Sequence, residues 1–437
     1  MTAPGPPSGS TAVTAGRLRL RSHLGDPLHR TSYLLLIGAA AGAVLGFLFW
    51  GLAARTYSAR VVGLTSTVIS AMMLVSGICQ LGLKPVLVRY LPTAGHMARA
   101  FVFRTYALTA AISVVLGSAA AATSELWSPP LGFLGREPGW FAGFVFATVL
   151  WTIFTLQDSV LTALKAVPWV PWSNSVYSLA KLGVLVALAG LLPFSGPFIA
   201  WNLPLVVTVA VVTWYVFGRL IPRYSASDPQ SSIDRRQVIS LARGNYGGTL
   251  FGLAALLLLP VFVTNIEGAE QAAYFYAPWT VSIGLQLIAA STTTSLTVEA
   301  ALDESSLRQL TRRTFVSTMS LVVPLAALSA LAAPLVLAAF GSSYASEGTT
   351  LLVLLAIAAI PNAVQTLGLV VARHYHRGGL VLVIQAVQCA LALGLSAWLL
   401  PEYGIQGVGI AWLVTQVVVA LGVLAGPLRP LLLVGRP

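Results

Sequence analysis

Twelve apolar stretches run along this chain, each about as long as a bilayer-crossing helix requires, roughly 20 residues. They cover residues 33–54, 62–83, 103–122, 140–164, 173–192, 197–217, 246–264, 272–298, 315–333, 350–372, 380–400 and 405–425. The basic residues between them fall almost entirely into every second gap. One side collects Arg17, Arg19, Arg21 and Arg30, then Lys84, Arg89, Arg99 and Arg104, then Lys165, then Arg219, Arg223, Arg235, Arg236 and Arg243. It continues with Arg308, Arg312 and Arg313, then Arg373 and Arg377, and ends with Arg429 and Arg436, so that 21 of the 25 Lys and Arg lie there. The other side holds Arg55, Arg60 and Arg136, and Lys181 lies within a span. A miscount of spans before the middle of the chain would scramble this alternation. The count and an orientation with both termini in the cytoplasm therefore support each other, and the expectation is a multi-pass protein of the cell membrane.

Composition agrees, since 57% hydrophobic against 9% charged is far from the soluble balance of about 25% charged. Basic loops facing an anionic inner leaflet account for the net charge of +12, so no nucleic-acid partner is needed to explain it. Residues 1–31, rich in Pro, Gly, Ser and Thr, read as a disordered basic tail. Cys79 and Cys389 both fall inside spans and read as packing residues, with neither a disulfide nor a metal site expected.

The longest polar interval, 218–244, divides the chain into two six-helix lobes, 32–217 and 245–426, with a short tail at 427–437. An even number of spans per half gives both lobes the same orientation, as in transporters built from parallel repeats. A faint echo supports duplication: Leu191, Leu192 and Pro193 precede Ala200 and Trp201, as Leu399, Leu400 and Pro401 precede Ala411 and Trp412. The gaps opposite the basic side are short, the largest being 123–139. No phosphate-binding glycine loop, zinc-binding His pattern or paired carboxylates occur, so the chain reads as neither an enzyme nor a cofactor-binding protein.

Charges inside hydrocarbon cost about 2.5–3.5 kcal/mol at mid-span on insertion scales, so each asks for a partner or an aqueous cavity. Asp158 lies near the inner end of the fourth span and Lys181 near the inner start of the fifth. Because those helices run antiparallel, the two are expected at similar depth, as a structural ion pair or as a protonation switch coupled to transport. Basic residues at helix ends form a second group: Lys84, Arg89, Arg104 and Arg243 on the basic side, and Arg55 on the depleted side. Arg55 is the exception to the orientation rule, and a cation there suits a phosphate or a lipid headgroup. The eighth span carries Gln286 and five consecutive hydroxyls from Ser291 to Ser295, near Glu299; with Asn245 and Tyr246 opening the seventh span, these two helices read as a cavity wall.

Several stretches resemble a known family. Residues 46–55 (GFLFWGLAAR), Val62 to Leu64, Gln80 to Leu83 and Val88 to Pro92 are similar to the N-terminal region of polysaccharide-biosynthesis flippases, within the multidrug/oligosaccharidyl-lipid/polysaccharide exporter superfamily. Residues 156–165, Trp169 to Pro171 with Asn174, Lys181 with Leu182, and Tyr403 to Gly407 leading to Ala411 and Trp412 extend the likeness. The resemblance implies an all-α fold of about twelve transmembrane helices in two six-helix lobes around a central cavity that opens alternately to either side. The cargo it implies is an oligosaccharide on a polyprenyl pyrophosphate. Its partners would then be membrane lipids and a polysaccharide polymerase or glycosyltransferases. On this reading Arg55, Lys84, Arg89, Arg243, Asn245 and Gln286 bind cargo, while Asp158 and Lys181 form a buried charge pair or couple transport. The alternative is a cation-coupled multidrug antiporter of the same superfamily, which needs an acidic site within the membrane.

Overall fold

Backbone N–H and C=O groups in hydrocarbon have no water to bond, so a lone apolar stretch satisfies them within itself by becoming a helix. The computed structural model describes residues 27–225, 235–302, 307–375 and 377–432, and no strand occurs among the described residues. Most of the expected tail at 1–31, the middle of the expected linker at 218–244 and the last residues of the tail at 427–437 lie outside them. The main helices are α1 (Pro27–Thr56), α2 (Ala59–Cys79), α3 (Ala98–Ala122), α4 (Pro138–Ala163), α5 (Trp169–Leu188) and α6 (Gly196–Tyr215). The second half holds α7 (Arg235–Ile266), α8 (Ala269–Leu302), α9 (Leu307–Leu331), α10 (Ser342–His374) and α11 (Gly378–Ala425). Among the described residues eight helices are long and apolar enough to cross a membrane, namely α2, α3, α4, α6, α7, α9, α10 and α11, with α3 and α6 counted together with the short turns adjoining them.

The first ten helices fall on the first ten apolar stretches, and α11 supplies the last two. Its 48 residues are interrupted at Gly404, whose φ of 58° and ψ of −149° no residue with a side chain adopts without strain. Contacts on either side show that the chain reverses there. Before the break, Gly247 lies against Leu382 and Gly252 against Gln385, so the first arm runs alongside α7. After it, Gly409 lies against Leu351 and Gly368 against Val423, so the second arm runs alongside α10, in the opposite direction. The turn closes where Gly407 packs on the carbonyl of Leu399.

The helices are arranged so that the two ends of the bundle differ. Toward the Arg-poor end a single hydrophobic core joins both halves, with Phe49, Trp50, Ile69 and Trp201 from the first and Phe275, Tyr276, Phe340 and Trp412 from the second. Toward the Arg-rich end each half keeps a core of its own. Leu87, Val102, Leu156, Val160 and Val216 pack together in the first half, and Leu367, Val371, Val381, Ile384 and Val423 in the second.

Candidate functional site

The seam between the halves is built by α1 and α2 from one side and α7 and α8 from the other. Small residues on α2 let the backbones approach, as is usual where the solvent for both helices is lipid and close packing drives association. Gly63 is the tightest point: a β-carbon there would stand 1.7 Å from the carbonyl oxygen of Ala269. The neighbouring hydroxyls of Ser66 and Ser70 turn inward along their own helix, donating to the carbonyls of Gly63 and Ser66 at 2.9 and 2.8 Å.

Polar groups then fasten the seam at the Arg-poor end. Thr67 and Thr264 share a hydroxyl hydrogen bond, and Ser128 donates to Asn265 Oδ1 at 2.6 Å while Asn265 Nδ2 donates to the carbonyl of Trp127 at 2.8 Å. Rings close the same region, with Trp50 and Tyr276 edge to face at 4.7 Å and Phe47 and Phe340 at 5.0 Å. Arg55, at the end of α1, donates from Nε to the carbonyl of Ala339 at 3.0 Å and from Nη2 to that of Ala338 at 2.5 Å. Those carbonyls end the short helix Ala333–Ala338 of the other half. A cation suits this place because the terminal carbonyls lack helical donors and carry the negative end of the helix dipole. At the Arg-rich end the halves meet through α2 and α7, where Tyr246 donates to the carbonyl of Ile78 at 2.6 Å.

The expected site residues do not converge on one point. Arg55 and Lys84 stand beyond opposite ends of α2, whose 21 residues span about 30 Å. Lys84 is half-buried on the short helix Leu83–Tyr90, close enough to Asp158 for their charges to interact. Arg89 is exposed on the same short helix, its guanidinium 5.8 Å from the ring of Tyr90. Gln286 is half-buried on α8 and donates to Ser282 at 3.3 Å. Arg243 and Asn245 lie in α7, but their side chains fall outside the described residues, as do those of Thr293, Thr294, Ser295 and Glu299. Of the hydroxyl run on α8, Thr292 reaches across to Thr318 of α9 at 2.9 Å, so this part serves helix packing.

The ion pair expected between Asp158 and Lys181 is not formed. Asp158 meets α5 at Asn174, whose Nδ2 lies 3.5 Å from Oδ2. Asn174 precedes Lys181 by seven residues, about 10 Å along a helix axis, so the two charges sit at different depths. Lys181 is instead buried among rings: its Nζ is 3.8 Å from the centre of Trp201, 5.1 Å from Phe49 and 5.3 Å from Tyr177. No carboxylate lies within ion-pair distance of it among the described residues. The electron-rich ring faces take the place of an anion, an arrangement worth about 2 kcal/mol or more when desolvated.

A further polar cluster lies in the second half, on amides that charge-based reading passes over. Gln365 of α10 donates to Gln388 of α11 at 2.5 Å, and Asn362 donates to Gln416 at 3.3 Å. All four side chains are buried. Their signal in the sequence is an uncharged amide in the middle of an apolar span, which is costly unless paired.

No family description and no curated protein sequence matches the chain. Solved structures do. One is an inward-facing multidrug resistance MATE family transporter of the MOP superfamily, 14% identical, with a TM-score of 0.67 over 91% of this chain and 94% of that one. A MOP superfamily transporter from Pyrococcus furiosus, described as having a binding pocket of reversed polarity, is 13% identical with a TM-score of 0.65, over 93% of this chain and 96% of that one. The lipid II flippase MurJ in an inward closed conformation is 12% identical with a TM-score of 0.69, over 91% and 88%. The chain is therefore a multi-pass membrane protein with the fold of these transporters over at least 91% of its length.

Proposed function

We propose that this protein moves a polyprenyl-pyrophosphate-linked oligosaccharide from the inner to the outer leaflet by alternating access, without altering it chemically, for cell-surface polysaccharide biosynthesis. The Arg-rich end then faces the cytoplasm, and the division at 218–244 separates the two moving lobes. A shared core at one end and separate cores at the other suit two bodies that rock about a seam. The observation that carries the choice of cargo is the sign of the charge inside the bundle. Among the described residues the buried Lys or Arg side chain is Lys181, while the carboxylate in the fourth span, Asp158, lies 3.5 Å from Asn174 and within electrostatic reach of Lys84. An antiporter of cationic drugs would use an acidic site there; an anionic pyrophosphate is served by the opposite sign. Lys84, Arg89 and Arg243 on the Arg-rich side supply several weak cationic contacts, which attract a pyrophosphate yet release it. Arg55 and Gln286 would meet the cargo only as the seam opens, and Asn245 is a further proposed contact.

Proteoliposomes carrying a labelled polyprenyl-pyrophosphate sugar test this reading. The protein should speed appearance of label in the opposite leaflet, and Arg89→Ala should slow it. No acceleration over empty liposomes across a range of sugars and imposed ion gradients, together with efflux of a cationic dye, would move the assignment to the antiporter.

A further inference from the structure

The surroundings of Lys181 join a buried ionisable group to the seam between the halves. Phe49, one wall of its ring cage, belongs to α1, and Trp201, the nearest wall, belongs to α6. Both rings also touch Trp50, with centroids 5.3 and 5.8 Å away, and Trp50 packs against Tyr276 of the other half at 4.7 Å. An unbroken chain of rings thus leads from the ammonium to the opposite lobe. Elsewhere around the cage, Tyr177 is fixed by donating to the carbonyl of Trp201 at 3.0 Å.

We propose that Lys181 is a proton-binding switch: the ammonium form draws Phe49 and Trp201 together and holds α1 in the position that closes the Arg-poor end, and loss of the proton releases it. The attraction between a cation and a ring face requires the charge, so the neutral amine retains only ordinary packing. A proton bound or released at this one atom therefore changes the relative stability of two positions of α1, which is all that a population shift requires. The other titratable groups described on the helices packed around α5 stand apart from the cage. Arg55 of α1 is engaged with the carbonyls of Ala338 and Ala339, and Asp158 of α4 meets α5 at Asn174. The sequence of α6 contains no charged residue, its one titratable side chain being Tyr215, which stacks on Trp169. His29, Arg30 and Tyr33, at the start of α1, have side chains outside the described residues. The inference needs two mobile lobes and is independent of the cargo assigned above.

The test measures the distance between spin labels at Ser58→Cys and Ser346→Cys, both exposed at the Arg-poor end of opposite halves, in full-length protein with Cys79 and Cys389 changed to alanine and no cargo added. Between about pH 6 and pH 10, above the ordinary carboxylate range, the ratio of near to far populations should fall at least about tenfold. Lys181→Met, permanently neutral, should hold the ratio at its high-pH value, and Lys181→Arg, permanently charged, near its low-pH value. A wild-type ratio that does not move overturns the proposal, as does either variant titrating like the wild type. If Lys181→Met does not fold, Lys181→Arg decides the question by itself. Flipping assays play no part, so loss of the cargo assignment would leave this result intact.

Discussion

Thr67 of α2 and Thr264 of α7 bring their buried hydroxyl oxygens within 2.5 Å of one another at the Arg-poor end of the seam. Each oxygen also lies 2.8 Å from a carbonyl of its own helix, that of Gly63 or Pro260. Two hydroxyl hydrogens thus serve three contacts, and one helix must give up its internal bond whenever the halves are joined. When they part, both hydroxyls can turn back onto their own helices, so separation leaves neither unsatisfied. The contact is therefore suited to being broken and remade.

The first prediction follows from that economy. Thr67→Val and Thr264→Val should each weaken closure of the Arg-poor end, and the double variant should cost less than the sum, with a coupling of about 0.6 kcal/mol, the mean for such pairs in membranes. Distances between labels across the seam provide the measurement. Additive effects would show that the two hydroxyls do not act on each other.

Arg55 makes a second prediction. Its two donors cap the short helix Ala333–Ala338 across the seam. Arg55→Ala should open the Arg-poor end, raising the labelling rate of a cysteine placed at Ala273, which is buried opposite Gly63 across the seam, by about two- to fivefold, the scale of a helix-end charge interaction. Arg55→Lys should recover part of the loss, since it keeps the charge but not the fork of donors. A labelling rate insensitive to both changes would assign Arg55 no part in closure.

Gly63 gives a sharper structural test. A methyl group there cannot coexist with the Ala269 carbonyl at 1.7 Å, so α2 and α8 would have to move apart along a packed core. Gly63→Ala should cut the yield of folded protein in detergent severely, with destabilisation of about 1–3 kcal/mol. Gly183→Ala is the matched control. Gly183 is exposed in the interior of α5 with open space around it, and alanine there should be neutral or stabilising by up to about 1 kcal/mol.

Helices were legible in the sequence because hydrocarbon leaves a single chain segment no other way to satisfy its backbone, and the alternating arginines make the spans countable. Even the reversal inside α11 has a visible cause, in Gly404 placed between two apolar stretches. The site was less legible because side-chain direction depends on helix rotation and tilt, which spacing does not fix. Arg55 stands out in the sequence as the exception to the orientation rule, yet its partners are backbone carbonyls some 280 positions away, groups that carry no residue-specific mark. Lys181 reads as costly in the sequence, but its compensation comes from Trp201, Phe49 and Tyr177, residues that in an apolar span look like ordinary core. Opposite charge proved a poor guide to partnership there, because ring faces solve the same electrostatic problem.

The last prediction separates those two solutions. Asp158 is in reach of Asn174 and acts on Lys84, while Lys181 lies about two turns farther along α5, among rings. Asp158→Asn keeps an amide partner for Asn174 but removes the charge that offsets Lys84. Lys84→Met leaves Asp158 without its nearby cation, and removing both charges should spare the protein the penalty of an unmatched one. In thermal stability measured in detergent, the pair Asp158→Asn with Lys84→Met should thus be less damaging than the two single effects added together. The pair Asp158→Asn with Lys181→Met should be additive within about 0.5 kcal/mol, as expected of sites that do not touch. The reverse pattern, coupling to Lys181 and independence from Lys84, would place the two membrane charges at one depth after all and remove the basis for treating Lys181 as a separate switch.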